Sequence, residues 1–365
     1  MPMNIVHITT IHNRYDNRIF WKQCKSLAID GFNVTLIVND DKDDEIREGV
    51  NIISVRHKNN NLLFRLLALP KFIKKARELS PDIVHFHDPE TLLIAGNLKK
   101  IAKKVIFDSH EYYKYQILAK PYIPRAFRQL TSFAYSFIEN AAIKRINGVI
   151  LPCTFDGVNP FDNIAARTEI ISNKPRKITT KQNETKRYDM VYVGSITVHR
   201  GVMKYIDLAI KTSDSLLLVG QIIDSVLKSK IELLTETNTN ITLIDWVDPS
   251  LLDAYLSQSK IGLCLIEDVG QYHIADSLPT KVYDYLSWNI PVLLNKGNFN
   301  NQLFHETSYV KLVDYNDFND VLSGYLELKS QVEMNQIDSK DIIEFLSNNS
   351  WELEYSKLKS FYLSI

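Results

Sequence analysis

Short apolar runs alternate with helical patterns along the chain. The first run, residues 4–10, is rich in β-branched side chains, as is typical of a buried strand. Ile19, Phe20 and Cys24 then recur at helical spacing, and a second apolar run follows at residues 32–38. Such alternation of strands and helices predicts a parallel sheet covered by helices.

The alternation stops at a polar stretch and then starts again. Apolar runs at residues 82–87 and 105–107 complete the first series, and residues 174–187, rich in Lys, Thr, Asn and Gln, predict a linker. Further runs follow at residues 190–193, 216–219, 241–244, 261–265 and 291–294. The pattern therefore predicts two α/β domains.

The domain boundaries follow from this linker. We expect an N-terminal domain over residues 1–173, the linker over residues 174–187 and a second domain over residues 188–349. Ligands of open α/β sheets bind outside the carboxyl ends of the strands. Two such domains therefore predict a cleft between the carboxyl ends of two sheets.

Three acidic residues are placed like helix N-caps. Asp16 precedes the first helical pattern, while Asp88 and Asp248 each precede a proline, which suits a first helical position. His85 and His87 lie on the predicted strand before Asp88. We interpret them as structural residues that point to opposite faces of the strand and do not form a metal-binding pair.

Composition and charge exclude several classes of protein. A length of 365 residues suggests two domains, and 45% hydrophobic residues suffice for two cores. Lys+Arg and Asp+Glu each total 43, so the formal net charge is zero. This balance argues against bulk nucleic acid as the main partner. The three cysteines lack a Cys-x-x-Cys spacing, which fits a reducing compartment. No apolar run approaches the roughly 20 residues of a spanning helix, and the N-terminus lacks a signal-peptide layout.

Six segments carry a resemblance to a known family. In chain order they are HITTIHNRYDNRIFWKQCKSLAIDGFNVTLIV, DIVHFHDPETL, KKVIFDSHEYY, YVGSITVHRGV, DSLPTKVYDYLSWNIPV and SWELEYSKL. They resemble family 4 retaining glycosyltransferases of the GT-B fold, in particular bacterial members that build surface polysaccharides such as O-antigen and capsule. The resemblance implies two Rossmann-like domains that face each other across a cleft. It also implies that the final helix, residues 350–365, returns to the N-terminal domain.

The resemblance implies roles for two acidic residues. Family members usually carry two glutamates separated by seven residues, where this chain has Asp276 and Asp284. The first faces the donor sugar and the reaction centre, and the second binds the ribose hydroxyls of the nucleotide. Each carboxylate arm is one methylene shorter here. Alternatively, Asp276 is a loop residue and Asp284 is a solvated helix residue paired with Lys281.

The same comparison points to a site for the donor diphosphate. Pro279 suits the first position of a helix whose N-terminus, together with Lys281, would attract phosphate. Gly194 opens the family's phosphate segment, in which Ser195 replaces a usual Arg and Arg200 replaces a usual Lys. Arg200 can hold a diphosphate with two N–H groups. The alternatives are a surface role for Lys281 and an interdomain salt bridge for Arg200.

In the N-terminal domain, the resemblance points to His110 and the first loop. A histidine at the position of His110 contacts the donor sugar near its anomeric centre in the family; the alternative is a core histidine. The first loop lacks the glycines that many relatives have there. Asp16 and Arg18 are therefore candidates for the acceptor side, although Asp16 is also explained as an N-cap.

No metal or other cofactor is expected. Asp41 and Asp43 lie in an acidic run, residues 40–45, that we interpret as a solvated loop. In the family, basic side chains and a helix end neutralise the leaving diphosphate, so the resemblance implies a metal-independent enzyme.

The stretch from Tyr112 to Arg145 mixes basic and aromatic residues. It is either an amphipathic helix that covers the core or a peripheral contact with a membrane that holds a lipid-linked acceptor. The expected location is accordingly the cytoplasm or the cytoplasmic face of the inner membrane.

The resemblance implies retaining transfer of a hexose from a UDP- or GDP-sugar to a glycan or lipid-linked glycan. Arg200, Lys281 and the helix end would stabilise the leaving diphosphate, while Asp276 and His110 would orient the sugar. Two alternatives stay open. One is a sugar-nucleotide epimerase of the same fold, and the other is a non-catalytic glycosyltransferase-like partner protein, which the substitutions at Asp276, Asp284 and Ser195 favour.

Overall fold

The structure is a computed structural model that describes residues 2–56, 61–119, 123–176, 185–247, 251–267, 271–272 and 274–365. The chain divides into two compact units: unit 1 comprises Met1–Asn173 and Trp351–Ile365, and unit 2 comprises Lys174–Ser350. Most of the predicted linker and the predicted helix start at Asp248 lie outside the described residues.

Unit 1 is built on an eight-stranded sheet with the order β3-β4-β2-β1-β5-β6-β7-β8. All neighbouring strands pair in parallel except β3 and β4, which form an antiparallel edge. The strands are β1 (Asn4–Ile8), β2 (Asn33–Val38), β3 (Glu45–Arg47), β4 (Val50–Ser54), β5 (Ile83–Phe86), β6 (Lys104–Asp108), β7 (Gly148–Leu151) and β8 (Thr168–Ile170).

Helical segments connect the strands of unit 1. A wide π-helical segment, Asn17–Cys24, runs into α1 (Lys25–Ile29), and a 3-10 segment, Pro89–Ile94, runs into α3 (Ala95–Leu98). The remaining helices are α2 (Leu62–Glu78), α4 (Tyr113–Ala119), α5 (Arg125–Ile143) and, at the end of the chain, α13 (Trp351–Ser364).

Unit 2 is built on a six-stranded sheet with the order β11-β10-β9-β12-β13-β14, in which all neighbours are parallel. Its strands are β9 (Tyr188–Val193), β10 (Leu216–Val219), β11 (Ile241–Ile244), β12 (Ser259–Cys264), β13 (Val292–Asn295) and β14 (Val310–Val313). Its helices are α6 (Val202–Thr212), α7 (Ser225–Thr237), α8 (Leu252–Leu256), α9 (Thr280–Ser287), α10 (Asn298–Leu303), α11 (Phe318–Glu333) and α12 (Ser339–Asn348).

Both faces of the sheet of unit 2 are buried. Along β9, Met190 and Tyr192 pack into one apolar cluster, while Val191 and Val193 pack into the other. Successive strand residues point to opposite faces, so a strand between two helix layers is apolar at every position. This explains why the continuous apolar runs of the sequence correspond to strands.

The C-terminal helix α13 completes the core of unit 1. Trp351 is buried among residues of β1, β2 and α1, and its indole N–H donates to Ser26 Oγ at 2.9 Å. Glu354 accepts a hydrogen bond from the backbone N–H of Ser172 at 2.8 Å. Residues far apart in the chain thus share one core. Among the described helices, none has the length and hydropathy of a membrane span.

Replacing Trp351 by alanine is expected to lower the free energy of unfolding by about 3–5 kcal/mol, because a large buried side chain is lost and a cavity remains. Urea unfolding followed by circular dichroism measures the change. Leu353→Ala is the control, since Leu353 lies on the same helix and is 48% exposed. Equal stability of the two variants would contradict the assignment of α13 to this core.

Candidate functional site

In unit 2, the ends of β9 and β10 approach each other through two glycines. Gly194 follows β9 with φ +118°, and Gly220 follows β10 with φ +150°. A methyl group built on Gly220 would lie 2.0 Å from the carbonyl oxygen of Gly194. Only glycine fits these positions, so bare backbone is exposed at the carboxyl edge of the sheet, where α/β proteins bind ligands.

Two basic side chains converge on Gly194. A methyl group built there would lie 3.3 Å from Nζ of Lys281 and 3.9 Å from Nη1 of Arg200. Arg200 ends a short 3-10 turn, Val198–Arg200, and Lys281 is the second residue of α9. The fold therefore brings together two cations from distant segments of the sequence.

Lys281 is buried and not a surface lysine. Its side chain is 9% exposed, and Nζ lies 3.8 Å from the ring centroid of Tyr192, a cation–π contact. The pKa of Lys281 is lowered to about 8; burial is the largest cause and the nearby Arg200 adds to it, whereas Cys264 and Asp284 act in the opposite direction. An anion that bound here would raise this pKa and relieve the repulsion between the two cations.

The two predicted carboxylates, Asp276 and Asp284, precede and follow Lys281 in the sequence. Asp276 is half-buried in the loop before α9, and Asp284 is half-buried within α9, close enough to Lys281 to act on its pKa. The helix begins at Thr280, so the prediction of Pro279 at the first helical position is wrong by one residue. Pro279 has ψ 137°, which is extended backbone, and occupies the N-cap position.

Ser195 is exposed, and its carbonyl accepts a hydrogen bond from Tyr192 at 2.8 Å.

In unit 1, three neighbouring parallel strands end at one edge. The loop after β1 contains Thr9, Thr10 and His12, β5 is followed by Asp88, and β6 is followed by His110. Since carboxyl ends of parallel strands share an edge, these polar residues lie together.

Asp88 occupies the predicted N-cap position before Pro89, but its side chain does not form a capping hydrogen bond. Its carboxylate accepts hydrogen bonds from Thr9 Oγ1 at 2.8 Å and from the backbone N–H groups of Thr10 at 2.5 Å and Ile11 at 3.3 Å. Asp88 is completely buried. Its carboxylate accepts hydrogen bonds from the first loop and none from the helix that follows it, so the donors of the loop are satisfied. Burial raises the pKa of Asp88.

Arg18 forms a buried ion pair and does not line an open acceptor surface. Its guanidinium meets Asp108 through two hydrogen bonds, of 2.8 and 3.1 Å, and Nη1 donates to the carbonyl of Ile171 at 2.8 Å. Gln23 donates a further hydrogen bond to Asp108 at 2.7 Å. Burial alone would raise the pKa of Asp108, but Arg18 and the neighbouring histidines hold it well below its usual range. The interpretation of Arg18 as facing a cleft is therefore corrected.

Asp16 acts as the predicted N-cap. One of its carboxylate oxygens accepts from the backbone N–H groups of Arg18 and Ile19, both at 2.8 Å. The other lies 3.4 Å from Nδ1 of His12. Burial lowers the pKa of His12, but the hydrogen bond with Asp16 and the charge of Asp88 outweigh it, and the pKa is raised.

His85 and His87 lie on the same face, so the interpretation that they point to opposite faces is wrong. Their ring centroids are 4.6 Å apart, because residues two positions apart along an extended strand share a face. Nε2 of His87 lies 3.0 Å from Nδ1 of His7, and its Nδ1 lies 3.1 Å from Nε2 of His110. Three imidazoles thus form a hydrogen-bonded chain.

This histidine chain ends at the C-terminal helix. The hydroxyl of Tyr362 lies 2.5 Å from Nδ1 of His85 and 3.4 Å from Nε2 of His7. At the other end, the side chain of His110 is 12% exposed, and its ring lies 4.7 Å from that of His12. Burial lowers the pKa of His87 to about 3 and that of His110 to about 4, so both are neutral at pH 7. His110 is therefore mostly buried and hydrogen-bonded to His87, and only a small part of its side chain is exposed.

Two sets of side chains in this cluster could hold a metal ion: His7 with His85 and His87, and His87 with Asp108 and His110. The 3.0 and 3.1 Å separations are also those of N–H···N hydrogen bonds, and Arg18 already neutralises Asp108. We therefore interpret the cluster as a hydrogen-bond network. In the acidic run, residues 40–45, Asp40 pairs with Arg14 at 2.7 Å and Asp43 with Arg56 at 2.6 Å.

Two parallel-rich α/β sheets, each with a polar or basic edge at the strand ends, define the two-domain Rossmann-like GT-B architecture. Solved structures of this class match the whole chain. Sucrose-phosphate synthase from Thermosynechococcus elongatus has a TM-score of 0.75 at 15% identity, covering 99% of this chain and 98% of that one. HepE of Anabaena in complex with UDP has a TM-score of 0.72 at 10% identity, with both chains covered completely at 100%.

A third solved structure is the lipopolysaccharide outer core galactosyltransferase WaaB, with a TM-score of 0.64 at 13% identity and 99% of each chain covered. Residues 17–157 match the sequence profile of Glycosyltransferase Family 4. No curated protein sequence matches the chain. The predicted GT-B fold is confirmed, and the match over residues 17–157 supports the resemblance to family 4 glycosyltransferases.

Several residues of these edges carried no signal in the sequence. Tyr192 lies on an apolar strand, and Tyr362 lies in the last helix, far along the chain from the histidines. The spacing of His85 and His87 did carry a signal, because alternate strand positions share a face. That spacing places His85 beside His87, but it carries no signal for His7 or His110.

The free energy of unfolding is expected to fall as the pH drops below about 6.5. His7, His85, His87 and His110 have lowered pKa values in the fold, with burial as the largest cause, whereas unfolded histidines titrate near 6.5. The unfolded chain then binds more protons, which costs about 1.4 kcal/mol per pH unit for each imidazole. His12, Asp88 and Glu139, whose pKa values are raised in the fold, oppose this trend as three groups against the four imidazoles.

Urea unfolding between pH 7 and pH 5.5 measures this dependence, and His110→Gln should reduce its slope. His305→Gln is the control, since the side chain of His305 is 76% exposed, and its slope should equal that of the parent. A parent stability that does not change over this range would contradict the burial of four neutral imidazoles.

Proposed function

We propose that the protein is a glycosyltransferase that binds the diphosphate of a nucleotide-sugar at the edge of unit 2 marked by Gly194. The observation that carries this proposal is the convergence of Lys281 and Arg200 on that glycine. Two cations at the carboxyl edge of a Rossmann-like sheet form an anion site by charge alone. HepE, which shares the fold, is solved with UDP and with UDP-glucose.

Helix α9 supports the same proposal. Its first turn offers backbone N–H groups and the positive end of the helix dipole, and Lys281 lies in that turn. The missing side chain of Gly194 leaves room for phosphate oxygens to approach the backbone, and the missing side chain of Gly220 lets the backbone of Gly194 pack against it. Ser195, which replaces a basic residue of the family, leaves Arg200 and Lys281 as the proposed charge partners.

The two carboxylates are proposed to bind different parts of the donor. Asp284, within α9, would accept hydrogen bonds from the ribose hydroxyls, and Asp276, in the loop before it, would contact the sugar. The resemblance assigns His110 of unit 1 to the donor sugar as well. Its neutral imidazole can donate or accept one hydrogen bond without adding charge. Asp16 stays a candidate on the acceptor side.

The proposed reaction retains the configuration of the anomeric carbon. The bond from this carbon to the diphosphate oxygen breaks, and the acceptor hydroxyl forms the new bond on the same face. The leaving phosphate takes the acceptor's proton. Arg200, Lys281 and the N-terminus of α9 would stabilise the charge that develops on the diphosphate, which is electrostatic catalysis without a metal.

The proposed acceptor is a glycan or a lipid-linked glycan in surface polysaccharide biosynthesis, at the cytoplasmic face of the inner membrane. The resemblance to bacterial polysaccharide enzymes supports this acceptor class, as does the shared fold of WaaB, a lipopolysaccharide outer core galactosyltransferase. A thermal-shift screen with UDP- and GDP-sugars, followed by transfer assays, tests the donor first, because a ligand that binds the native state raises its stability.

A non-catalytic nucleotide-binding protein of the same fold is the second candidate. Ser195 and the shorter carboxylates of Asp276 and Asp284 favour it, because a misplacement of about an ångström can lower a rate roughly 10²-fold. Nucleotide binding without turnover on any offered acceptor would support this candidate over the enzyme.

Replacing Arg200 or Lys281 by alanine is expected to weaken the binding of UDP or GDP. Each change removes a charge-assisted hydrogen bond, which costs about 1.5–3 kcal/mol. Calorimetric titration of both variants with both nucleotides measures the loss. Lys230→Ala, an exposed lysine on α7 of the same unit, is the matched control. Parent-like affinity in both alanine variants would refute the proposed phosphate site.

A second measurement uses the lowered pKa of Lys281. Nucleotide affinity of the parent should fall as the pH rises through about 8, because Lys281 loses its proton there. Lys281→Arg should show a flatter profile, since arginine stays charged. Identical profiles for parent and variant would mean that the charge of Lys281 does not contact the nucleotide.

Changes at the two carboxylates should have different effects. Asp284→Asn keeps one acceptor oxygen and Asp284→Ala keeps none, so nucleotide affinity should decrease in the order Asp, Asn, Ala. Asp276→Ala should leave nucleotide affinity nearly intact and lower turnover, as expected for a contact at the reacting centre. Binding isotherms and initial rates decide, with Glu at each site as the control on arm length. Equal effects of the two alanine changes in both assays would refute this division of roles.

Transfer activity should survive EDTA, because the proposed site neutralises the diphosphate with Arg200, Lys281 and a helix end. Initial rates with and without chelator measure this. Loss of activity in EDTA that Mg²⁺ or Mn²⁺ restores would overturn the metal-independent mechanism.

A further inference from the structure

Over residues 127–139, helix α5 buries polar side chains and exposes large apolar ones, unlike a helix that covers a core. Its buried side chains include Ser132 and Glu139, which are 3% and 2% exposed, and Oγ of Ser136 is buried as well. Helices on a protein surface normally bury their apolar side and expose their polar side. The large side chains that α5 turns outward are Phe127, Leu130, Phe133 and Phe137, which are 59%, 65%, 73% and 71% exposed.

The inward polar residues hold α5 in this orientation. Ser132 donates a hydrogen bond to the carbonyl of Lys114 at 3.1 Å, and Tyr135 donates one to Glu139 at 3.0 Å. Burial raises the pKa of Glu139 to about 7, which reduces its charge inside the protein. Rotating the helix to bury its phenylalanines would break the hydrogen bond between Ser132 and Lys114 and would move Glu139 out of its buried position, although the bond between Tyr135 and Glu139 lies within α5. Folding of unit 1 therefore does not account for the outward apolar side chains.

The apolar area extends to α2. The 3-10 segment Pro89–Ile94 packs against both α5 and α2, and its Leu93 is 55% exposed. The first turns of α2 expose Leu62, Leu63 and Leu67, at 56%, 64% and 62%. We call these four leucines, together with the four outward side chains of α5, the apolar surface. Exposed apolar areas of this kind mark interaction sites.

The chain around the apolar surface is strongly basic, although the protein as a whole is neutral. Residues 62–78 contain five Lys or Arg and one acidic residue, and residues 113–145 contain six Lys or Arg and one acidic residue, the buried Glu139. Among the described basic residues, Lys71, Lys74, Arg125 and Lys144 are exposed. The partner must therefore accept both apolar side chains and positive charge.

We propose that the apolar surface docks on an anionic lipid bilayer, with α5 in the plane of the interface. The phenylalanines and leucines would enter the boundary between headgroups and acyl chains, and the basic residues would contact anionic headgroups. A second copy of the chain would bring two basic surfaces together, and a nucleic acid would leave the outward phenylalanines in water. The proposal does not depend on transferase activity.

Flotation of the purified full-length chain with vesicles tests the proposal. The chain should float with vesicles of phosphatidylcholine mixed with phosphatidylglycerol, and less with phosphatidylcholine alone or at high salt. Phe133→Ser with Phe137→Ser should lower the partition coefficient about tenfold or more, because two buried aromatic side chains are lost. Lys71→Glu with Lys74→Glu should lower binding to the mixed vesicles only.

Ile223→Ser with Val226→Ser is the matched control, since these residues are 80% and 78% exposed in unit 2. This variant should bind vesicles like the parent. Circular dichroism checks the fold of all variants, and the affinity for UDP should be the same in parent and Phe133→Ser/Phe137→Ser. That comparison separates failure of the docking surface from failure of the proposed donor site.

Three outcomes would overturn the proposal. The parent binds neither kind of vesicle; the Ile223 and Val226 changes reduce binding as much as the Phe133 and Phe137 changes; or the lipid-free parent is a dimer that Phe133→Ser/Phe137→Ser converts to a monomer while vesicle binding is absent. The last result would assign the apolar surface to a second copy of the chain.

Discussion

A single buried carboxylate, Asp108, holds together the polar edge of unit 1. Arg18 binds it through two hydrogen bonds and also binds the carbonyl of Ile171, so the first helical segment, the end of β6 and the last residues before unit 2 are joined at one point. A buried charge is tolerated only when it is paired and hydrogen-bonded. Loss of either partner would leave the other charge in the core, and the ends of the strands would no longer be held in register with the loops that follow them.

The histidine chain extends this constraint to the end of the sequence. His87 lies 3.5 Å from Asp108 and connects His110, at the edge of unit 1, to His7, which lies beside Tyr362 in α13. The position of the partly exposed imidazole is therefore set by residues from the first strand and the last helix. Such a network is rigid only when each member has its partner, and here burial keeps the imidazoles neutral so that each offers one donor and one acceptor.

In unit 2, two like charges lie close together, whereas in unit 1 Arg18 neutralises Asp108. Lys281 and Arg200 approach the same glycine, and burial lowers the pKa of Lys281 to about 8. Two like charges in a partly dry site reduce stability, and a protein keeps them where an anion compensates for them. The outward apolar side chains of α5 are a similar case, since they stay exposed in the folded chain although burial would be favourable. The proposed diphosphate and the proposed bilayer would each make one of these features favourable.

The sequence by itself determined nine strands of the two sheets, the two-domain architecture and the N-cap at Asp16, because each depends on patterns within a few residues of the chain; it did not predict β3, β4, β7, β8 or β14. Tertiary structure decided what the polar residues do. Arg18 became an internal ion-pair partner, Asp88 satisfied a distant loop instead of its own helix, and α5 turned its phenylalanines outward. The role of a charged or polar side chain depends on which donors, acceptors and charges lie within a few ångströms of it. Folding brings these groups from positions far apart in the chain, so local periodicity carries no information about them.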